Sequence, residues 1–406
     1  MQLSVDRDEI FTVGLMSGTS TDGVDAALVS LKGDWPRPRV SLHHWLTAEF
    51  QPEVRQRLLA MYPPHLLGIE DLSRMNAELG EFYAEAVLRL LKEADVPPNR
   101  VLGIGSRGIT IGHFPPSPSN PRGHRIEIAE PAIIAERTGI SVVANWGARD
   151  NAAGGQGVLV STPFVDWMLF QSDQRSYAIQ NIGGIGNVGY VRAGSTLDDV
   201  MAFDTGPGNV FIDFAAAEAT DGLQNYDKDG LLARRGRVFQ PLVDELLAHP
   251  FFDVRPPRST GRELFGLEMF NHIKTRANSL GLNKTDLVAS MTAFTAQAIA
   301  TSYRKFVYPL GPVDEVVMTG GGAYNPVLVE MVEEQLSPRK VSRHDDYGIP
   351  AAIREAVTFA IATARNFSGL PTSPTQVTGA RRSVVLGNFT PGQFCWDSVP
   401  FTRARG

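Results

Sequence analysis

Residues 14–28 read Gly-Leu-Met-Ser-Gly-Thr-Ser-Thr-Asp-Gly-Val-Asp-Ala-Ala-Leu, two apolar strands parted by small and polar residues. A tight hairpin needs only about two turn residues. A turn made of Ser17, Gly18, Thr19, Ser20, Thr21, Asp22 and Gly23 is therefore expensive unless something fills it. Its glycines let main-chain N–H groups approach an anion, its hydroxyls add donors, and Asp22 can hold a metal ion or its waters. Residues 176–190, Ser-Tyr-Ala-Ile-Gln-Asn-Ile-Gly-Gly-Ile-Gly-Asn-Val-Gly-Tyr, repeat the pattern of strand, small-residue turn and strand. The pair reads as a weak internal repeat with one phosphate-binding hairpin per lobe. Taken alone, the second is at least as well explained as an ordinary glycine-rich hairpin.

The rest of the chain alternates strands with helices, which indicates α/β lobes. Leu72, Met75, Leu79, Phe82, Ala86 and Leu90 recur at three- and four-residue spacing, so a helix is expected over 71–94, stopped by Pro97 and Pro98. Further helices are expected from Asn209 through 219 and over 271–279, 286–306, 326–335 and 350–366. Short strands are expected at 101–105, 141–144, 201–204, 313–319 and 384–386, and residues 114–125, rich in proline and serine, read as an exposed loop. Residues 149–157 look too glycine-rich for a regular helix.

At 406 residues, 43% hydrophobic and 20% charged, the chain can build two cores. A net charge of -6 argues against nucleic-acid binding. The single Cys395 excludes an intramolecular disulfide framework and a multi-cysteine zinc site. No secretory signal or membrane-length apolar run is visible, so a cytoplasmic, non-membrane protein is expected.

Three further stretches carry chemistry. Asp204-Thr-Gly-Pro-Gly-Asn209 places a carboxylate at a strand end and glycines before a helix, a suitable place for a metal-bound phosphate; a plain helix N-terminal turn is the simpler reading. Gly320, Gly321 and Gly322 end an apolar strand and clear space for a planar ligand or phosphate before Asn325. Asp150, read as an exposed carboxylate on a glycine-rich loop, can accept a proton from a hydroxyl or water, though a solvated loop aspartate is the more ordinary reading. His113 and His124 lack ligand spacing and read as surface or core histidines. Glu355 sits where a helix start favours negative charge.

Together these motifs resemble those of the bacterial anhydro-N-acetylmuramic acid kinases, in the ATPase superfamily of actin, hexokinase and the heat-shock chaperones. The resemblance spans nearly the whole chain. It implies two actin-like (ribonuclease H-like) lobes with ATP and magnesium in the cleft between them: residues 1–140 with a tail of about 370–406 packing back, and residues 141–369. The ATP loop maps onto Gly18, Thr19, Ser20, Thr21, Asp22, Gly23, Val24 and Asp25. Gly184, Asn187, Asp204, Gly206, Gly320, Gly321, Gly322 and Asn325 supply the other nucleotide motifs. Asp22 and Asp204 are the magnesium candidates. In the implied reaction water opens the 1,6-anhydro bond and the freed O6 is phosphorylated, with Asp150 as general base. Arg107, Thr110, Gln156 and Glu355 map to the sugar side. A homodimer is implied as well.

The departures cluster on the sugar side. Arg107 stands where the family has His, and Ile109 where it has Gln; Asn145-Trp-Gly147 replaces Asp-Phe-Arg. Lost polar donors raise the alternative of another anhydro-sugar such as levoglucosan, while Arg107 offers a positive charge for the lactyl carboxylate of muramic acid. A non-catalytic, actin-like ATP sensor is the remaining alternative, against which Asp150 and the intact Gly-Gly-Gln-Gly stand.

Overall fold

The computed structural model describes residues 9–18, 21, 23–62, 68–116 and 123–393. In chain order the strands are β1 (Glu9–Met16), β2 (Gly23–Lys32), β3 (Arg39–Glu49), β4 (Val101–Arg107), β5 (Ile109–Phe114), β6 (His124–Ile128) and β7 (Val142–Ala144). They continue with β8 (Tyr177–Ile182), β9 (Ile185–Val191), β10 (Met201–Pro207), β11 (Glu315–Thr319), β12 (Lys340–Arg343) and β13 (Asn388–Thr390).

The chain divides into two compact units, Met1–Leu169 with Ile353–Gly406, and Phe170–Ala352. The first holds a sheet ordered β13-β7-β4-β1-β2-β3, the second a sheet ordered β10-β9-β8-β11-β12. In each, the first two strands form an antiparallel hairpin, the third extends it antiparallel, and the next two add in parallel to the first. The hairpin repeat read in the sequence is thus one corner of a repeated five-strand topology, the mixed α/β lobe that the resemblance implies. Strands β5 and β6 form a separate ribbon.

The unit boundaries lie at 169/170 and 352/353 rather than at 140/141 and 369/370. Two contacts explain the difference. Strand β7 pairs in parallel with β4, so the chain just past 140 still belongs to the first sheet. The helix Arg354–Phe367 packs on β1, β2 and β4. That packing needs Gly14, because a Cβ there would fall 1.8 Å from the Ala356 carbonyl oxygen. Strand β13 pairs antiparallel with β7 and ties the tail to this sheet.

The helix Ile69–Glu93 buries Met75, Leu79, Ala86 and Leu90 of the stripe its spacing predicts, with Val87 beside them, and leaves Leu72 and Phe82 partly buried. In the second unit Lys284–Ser302 is buried on nearly all sides, packed by Val210–Ala219, Gln240–Leu247 and Pro326–Leu336. It passes into one π turn, Tyr303–Val307, instead of continuing as α-helix to 306. The chain at 351–353 is 3-10 and the α-helix begins at Arg354.

Two local expectations are corrected. Residues Ala148–Ala152 form a short helix. Its residues are helix-compatible, and the glycines that suggested a loop all follow it. The late strand is β13, not 384–386; Val384 and Leu386 are buried without pairing in a sheet. Part of the expected 114–125 loop, 117–122, lies outside the described residues.

Candidate active site

In the first unit the turn after β1 is held from below. The Ser17 hydroxyl donates to the Gly23 carbonyl at 2.6 Å, and Thr21 N–H donates to the Gly18 carbonyl at 3.1 Å. Thr21 is fully buried with φ 50°. Thr19, Ser20 and Asp22 lie outside the described residues. Val24 is buried in the sheet, and Asp25 accepts from the Thr47 hydroxyl at 2.6 Å across the β2–β3 pair. Asp25 is therefore engaged along the strand.

Asp150 is not the exposed loop carboxylate its setting suggested: it is 0% exposed, on the helix Ala148–Ala152. Its Oδ2 accepts from Gly157 N–H at 2.9 Å, while Oδ1 has no hydrogen-bond partner. Burial pushes its carboxyl above the usual aspartate range, against the opposing pulls of Gly157 N–H, the Thr378 hydroxyl and Arg125. The site admits no side chain at 155, where a Cβ would lie 2.2 Å from Oδ2. Gln156 N–H donates to the Thr378 carbonyl at 2.7 Å, fixing the loop to the tail.

Of the sugar-side candidates, Arg107 at the end of β4 and Thr110 on β5 are brought together with charged residues of β6. Arg107 Nη1 donates to Thr110 Oγ1 at 2.7 Å and to Glu127 Oε2 at 3.1 Å. Arg125 Nη2 donates to the same two oxygens at 2.9 and 2.8 Å, and its Nη1 donates to the Gly157 carbonyl. Two guanidinium groups thus share one carboxylate, and Arg125 and Glu127 are each only 3% exposed. Burial lowers the Arg125 guanidinium to about 10, the nearby charge of Arg107 adding to the shift. His113, opposite Arg125 in the ribbon, has both ring nitrogens buried without partners; burial and the charges of Arg125 and Arg107 hold it down to about 4. Glu355 is half-buried in the first turn of Arg354–Phe367, beside a buried Arg354–Asp166 ion pair. Arg125, Glu127 and Thr378 were missed from sequence; the signal available was the charged pair at alternate positions on one face of β6.

In the second unit three glycine-rich strand ends meet. Gly208 N–H donates to the Gly184 carbonyl at 2.9 Å and Asn209 N–H to the Gly183 carbonyl at 2.7 Å. Asn209 Nδ2 donates to the Ile182 carbonyl at 3.1 Å. Asn187 pairs with Asp204 across β9 and β10, where the register shifts before Gly206. A Cβ on Gly320, which has φ 79°, would fall 2.5 Å from Asn181 Oδ1; one on Gly322 would strike Ile182 at 2.3 Å. Asn325 caps the helix Pro326–Leu336 through Val327 and Leu328 N–H, and Gly230 packs against its side chain. Gly184, Asn187, Asp204, Gly206, Gly320, Gly321, Gly322 and Asn325 therefore belong to one neighbourhood, at the C-terminal ends of β8 and β11. Ligands of open α/β sheets bind at such ends.

Asp204 is buried on β10. Burial pushes its carboxyl up to about 7, Thr260 N–H and Arg258 pulling the other way. Thr260 N–H reaches Oδ2 at 2.8 Å, and Arg258 Nε donates to the Asp204 carbonyl at 2.9 Å. Arg258 is itself stacked against Phe203, Phe251 and Phe306. Among the described residues no group of three or more His, Cys, Asp or Glu is disposed to hold a metal, and no helix is long and apolar enough to cross a membrane.

The family model described as anhydro-N-acetylmuramic acid kinase matches residues 10–392. A protein of that name from Caldanaerobacter subterraneus is 42% identical over 388 residues, covering 95% of this chain and 98% of that one. Relatives of the same name from Bacillus cereus and Clostridioides difficile are 36% and 34% identical, covering 94% and 95% of this chain and 99% of each of theirs.

Proposed function

The chain belongs to the anhydro-N-acetylmuramic acid kinase family, and from that premise we propose that it opens 1,6-anhydro-N-acetylmuramic acid with water and phosphorylates the freed O6, using ATP. Water forms the new bond at C1, the C1–O6 bond breaks, and O6 takes the γ-phosphoryl group. The products are N-acetylmuramic acid 6-phosphate and ADP.

The observation that carries the mechanism is the state of Asp150. A carboxylate with one oxygen fixed by Gly157 and the other unpartnered has a single acceptor available for the proton of the attacking water. Its raised carboxyl range makes it a stronger base than a solvated aspartate. Arg107, held by Glu127, would face the sugar's lactyl carboxylate with its positive charge, and Glu355, Thr110 and Gln156 would meet its hydroxyls and acetamido group.

The nucleotide falls to the second unit's glycine-rich strand ends, where Gly321 leaves room: the nearest atom to a Cβ there is Asn209 Nδ2 at 3.8 Å. Magnesium suits this donor set, since it uses one or two carboxylates and completes its shell with phosphate oxygens and water. Asp204 is the candidate carboxylate in the second unit; Asp22, in the first unit, lies outside the described residues. The ion, when bound, supplies charge neutralisation for the transferring phosphoryl group. A homodimer and a cytoplasmic place belong to the same reading. A levoglucosan kinase or a non-catalytic sensor is not favoured, given full-length relatives of one name.

The test is turnover in labelled water with magnesium-ATP and the anhydro-sugar. Heavy oxygen should appear at C1 and none in the phosphate. Label in the phosphate, or no sugar 6-phosphate at all, overturns the reading.

A further inference from the structure

A pocket of about 390 Å³ opens in the first unit beside the helix Ala148–Ala152. Ala148, Asn151 and Ala152 line it, three positions on one helix face. Asp150 lies off that face; its carboxylate meets Gly155 and Gly157 instead. The remaining lining includes His124, Arg125 and Arg381, and none of the described lining residues is a carboxylate.

The polar groups here are incompletely used. Arg125 spends its two terminal nitrogens on Gly157, Thr110 and Glu127, and its buried Nε has no partner. Asn151 donates from Nδ2 to the Gly155 carbonyl at 2.9 Å, and its buried Oδ1 has no partner. Arg381 is exposed; its main-chain N–H donates to the Ala153 carbonyl at 3.0 Å and its Nη2 to the Ala152 carbonyl at 3.5 Å. Its guanidinium passes so near Gly154 that a Cβ there would lie 2.8 Å from Nη1.

We infer that this pocket is an anion site separate from the reaction centre, built for a phosphate group carried free or on a compact metabolite. Arg381 presents an exposed guanidinium fork, which matches phosphate oxygens in geometry as well as charge, and Arg125 adds a second positive charge to the lining. The site also has a route to the base. Arg125 and Asn151 hold the carbonyls of Gly157 and Gly155, and Gly157 N–H orients Asp150. An anion that draws Arg125 away from Gly157 loosens that loop, so occupancy lowers kcat without competing with the sugar. This kinetic consequence rests on the kinase reading; the binding does not.

The experiment is calorimetric titration of inorganic phosphate, and separately of glucose 6-phosphate, into the full chain and into Arg381→Ala and Arg381→Lys. Arg381 has no part in the proposed chemistry, and thermal unfolding checks that each variant folds. Phosphate should bind the wild type, at least about tenfold more weakly to Arg381→Ala, and in between to Arg381→Lys. Tighter binding of the sugar phosphate assigns the occupant as a metabolite, and the reverse order assigns the free anion. Phosphate should inhibit turnover non-competitively against the anhydro-sugar, and Arg381→Ala should relieve it. Equal phosphate binding by wild type and Arg381→Ala overturns the site. Competition with the sugar overturns its separateness. A wild type that binds phosphate in an Arg381-dependent way yet turns over no anhydro-sugar overturns the kinase reading and leaves the anion site standing.

Discussion

Gly157 N–H reaches Oδ2 of Asp150 at 2.9 Å and leaves Oδ1 without a partner in a fully buried setting. A buried carboxylate oxygen left unsatisfied costs stability, and such arrangements cluster at functional sites. Asp150→Asn keeps the shape and removes the base. It should lower kcat by about 10²–10⁴-fold while nucleotide affinity stays within about twofold. Steady-state turnover beside nucleotide titration checks this; unchanged kcat would remove Asp150 from the base role.

The pH profile follows from the same burial. The proposed base works ionised, so kcat/KM should fall as pH drops through the Asp150 pKa. Because burial raises that pKa, the acid limb should lie above the ordinary aspartate range. A limb at the solvated-aspartate position contradicts the buried geometry.

The extent to which this was legible in sequence differs between the units. In the second unit the motifs at 183–187, 204–209 and 320–325 are local, and each one's glycines were readable where they stand. Their convergence is a consequence of β11 lying beside β8 and β10 beside β9, pairings that the hairpin repeat did not anticipate. In the first unit the motif singles out Asp150 but suggests the wrong environment, because the groups that act on its carboxylate include Thr378 and Arg125, distant in sequence. Arg125 and Glu127 went unseen for a similar reason: pairing of β6 with β5 brings them to Arg107 and Thr110. Glycine-rich turns announce themselves locally, whereas charge pairing across strands does not.

Glu127→Gln tests that pairing. The change leaves the buried Arg125 guanidinium without its carboxylate and removes the shared acceptor from Arg107. Breaking a buried pair from one side typically costs about 3–5 kcal/mol. Urea unfolding should report a loss of that order, partly recovered in Arg125→Met/Glu127→Gln. A loss below about 1 kcal/mol would show that the charges are solvated.

Gly320 and Gly321 separate the two demands on the nucleotide cradle. Gly320 has φ 79°, and its Cβ would lie 2.5 Å from Asn181 Oδ1, so Gly320→Ala should destabilise the apo fold by about 1–3 kcal/mol. At Gly321 the nearest atom to a built Cβ is Asn209 Nδ2 at 3.8 Å, an ordinary contact. Gly321→Ala should therefore leave the melting temperature unchanged and weaken ATP binding at least about tenfold, if a phosphate or base lies against it. Full ATP affinity in a folded Gly321→Ala protein would displace the nucleotide from this cradle.

Glu315 supplies a pH-dependent stability term remote from the chemistry. Its side chain is fully buried and accepts from Ser342 at 2.6 Å, Tyr347 at 2.7 Å, Lys340 at 3.0 Å and Arg175 at 2.6 Å. Burial is the largest single influence and raises its carboxyl, but the Ser342, Tyr347 and Lys340 hydrogen bonds together outweigh it, and the net shift is downward. A carboxyl lowered on folding contributes stability that is present above its unfolded pKa and is lost as pH falls through its folded value. Other acids shift the opposite way, Asp150 and Asp204 among them, so the wild-type curve alone mixes signs. The difference between wild type and Glu315→Gln isolates the term. That difference should be constant near neutral pH, shrink as pH falls below the ordinary glutamate range, and level off once Glu315 is protonated in both states. A difference independent of pH across that window would mean that Glu315 stabilises the start of β11 through hydrogen bonds that a neutral amide makes equally well.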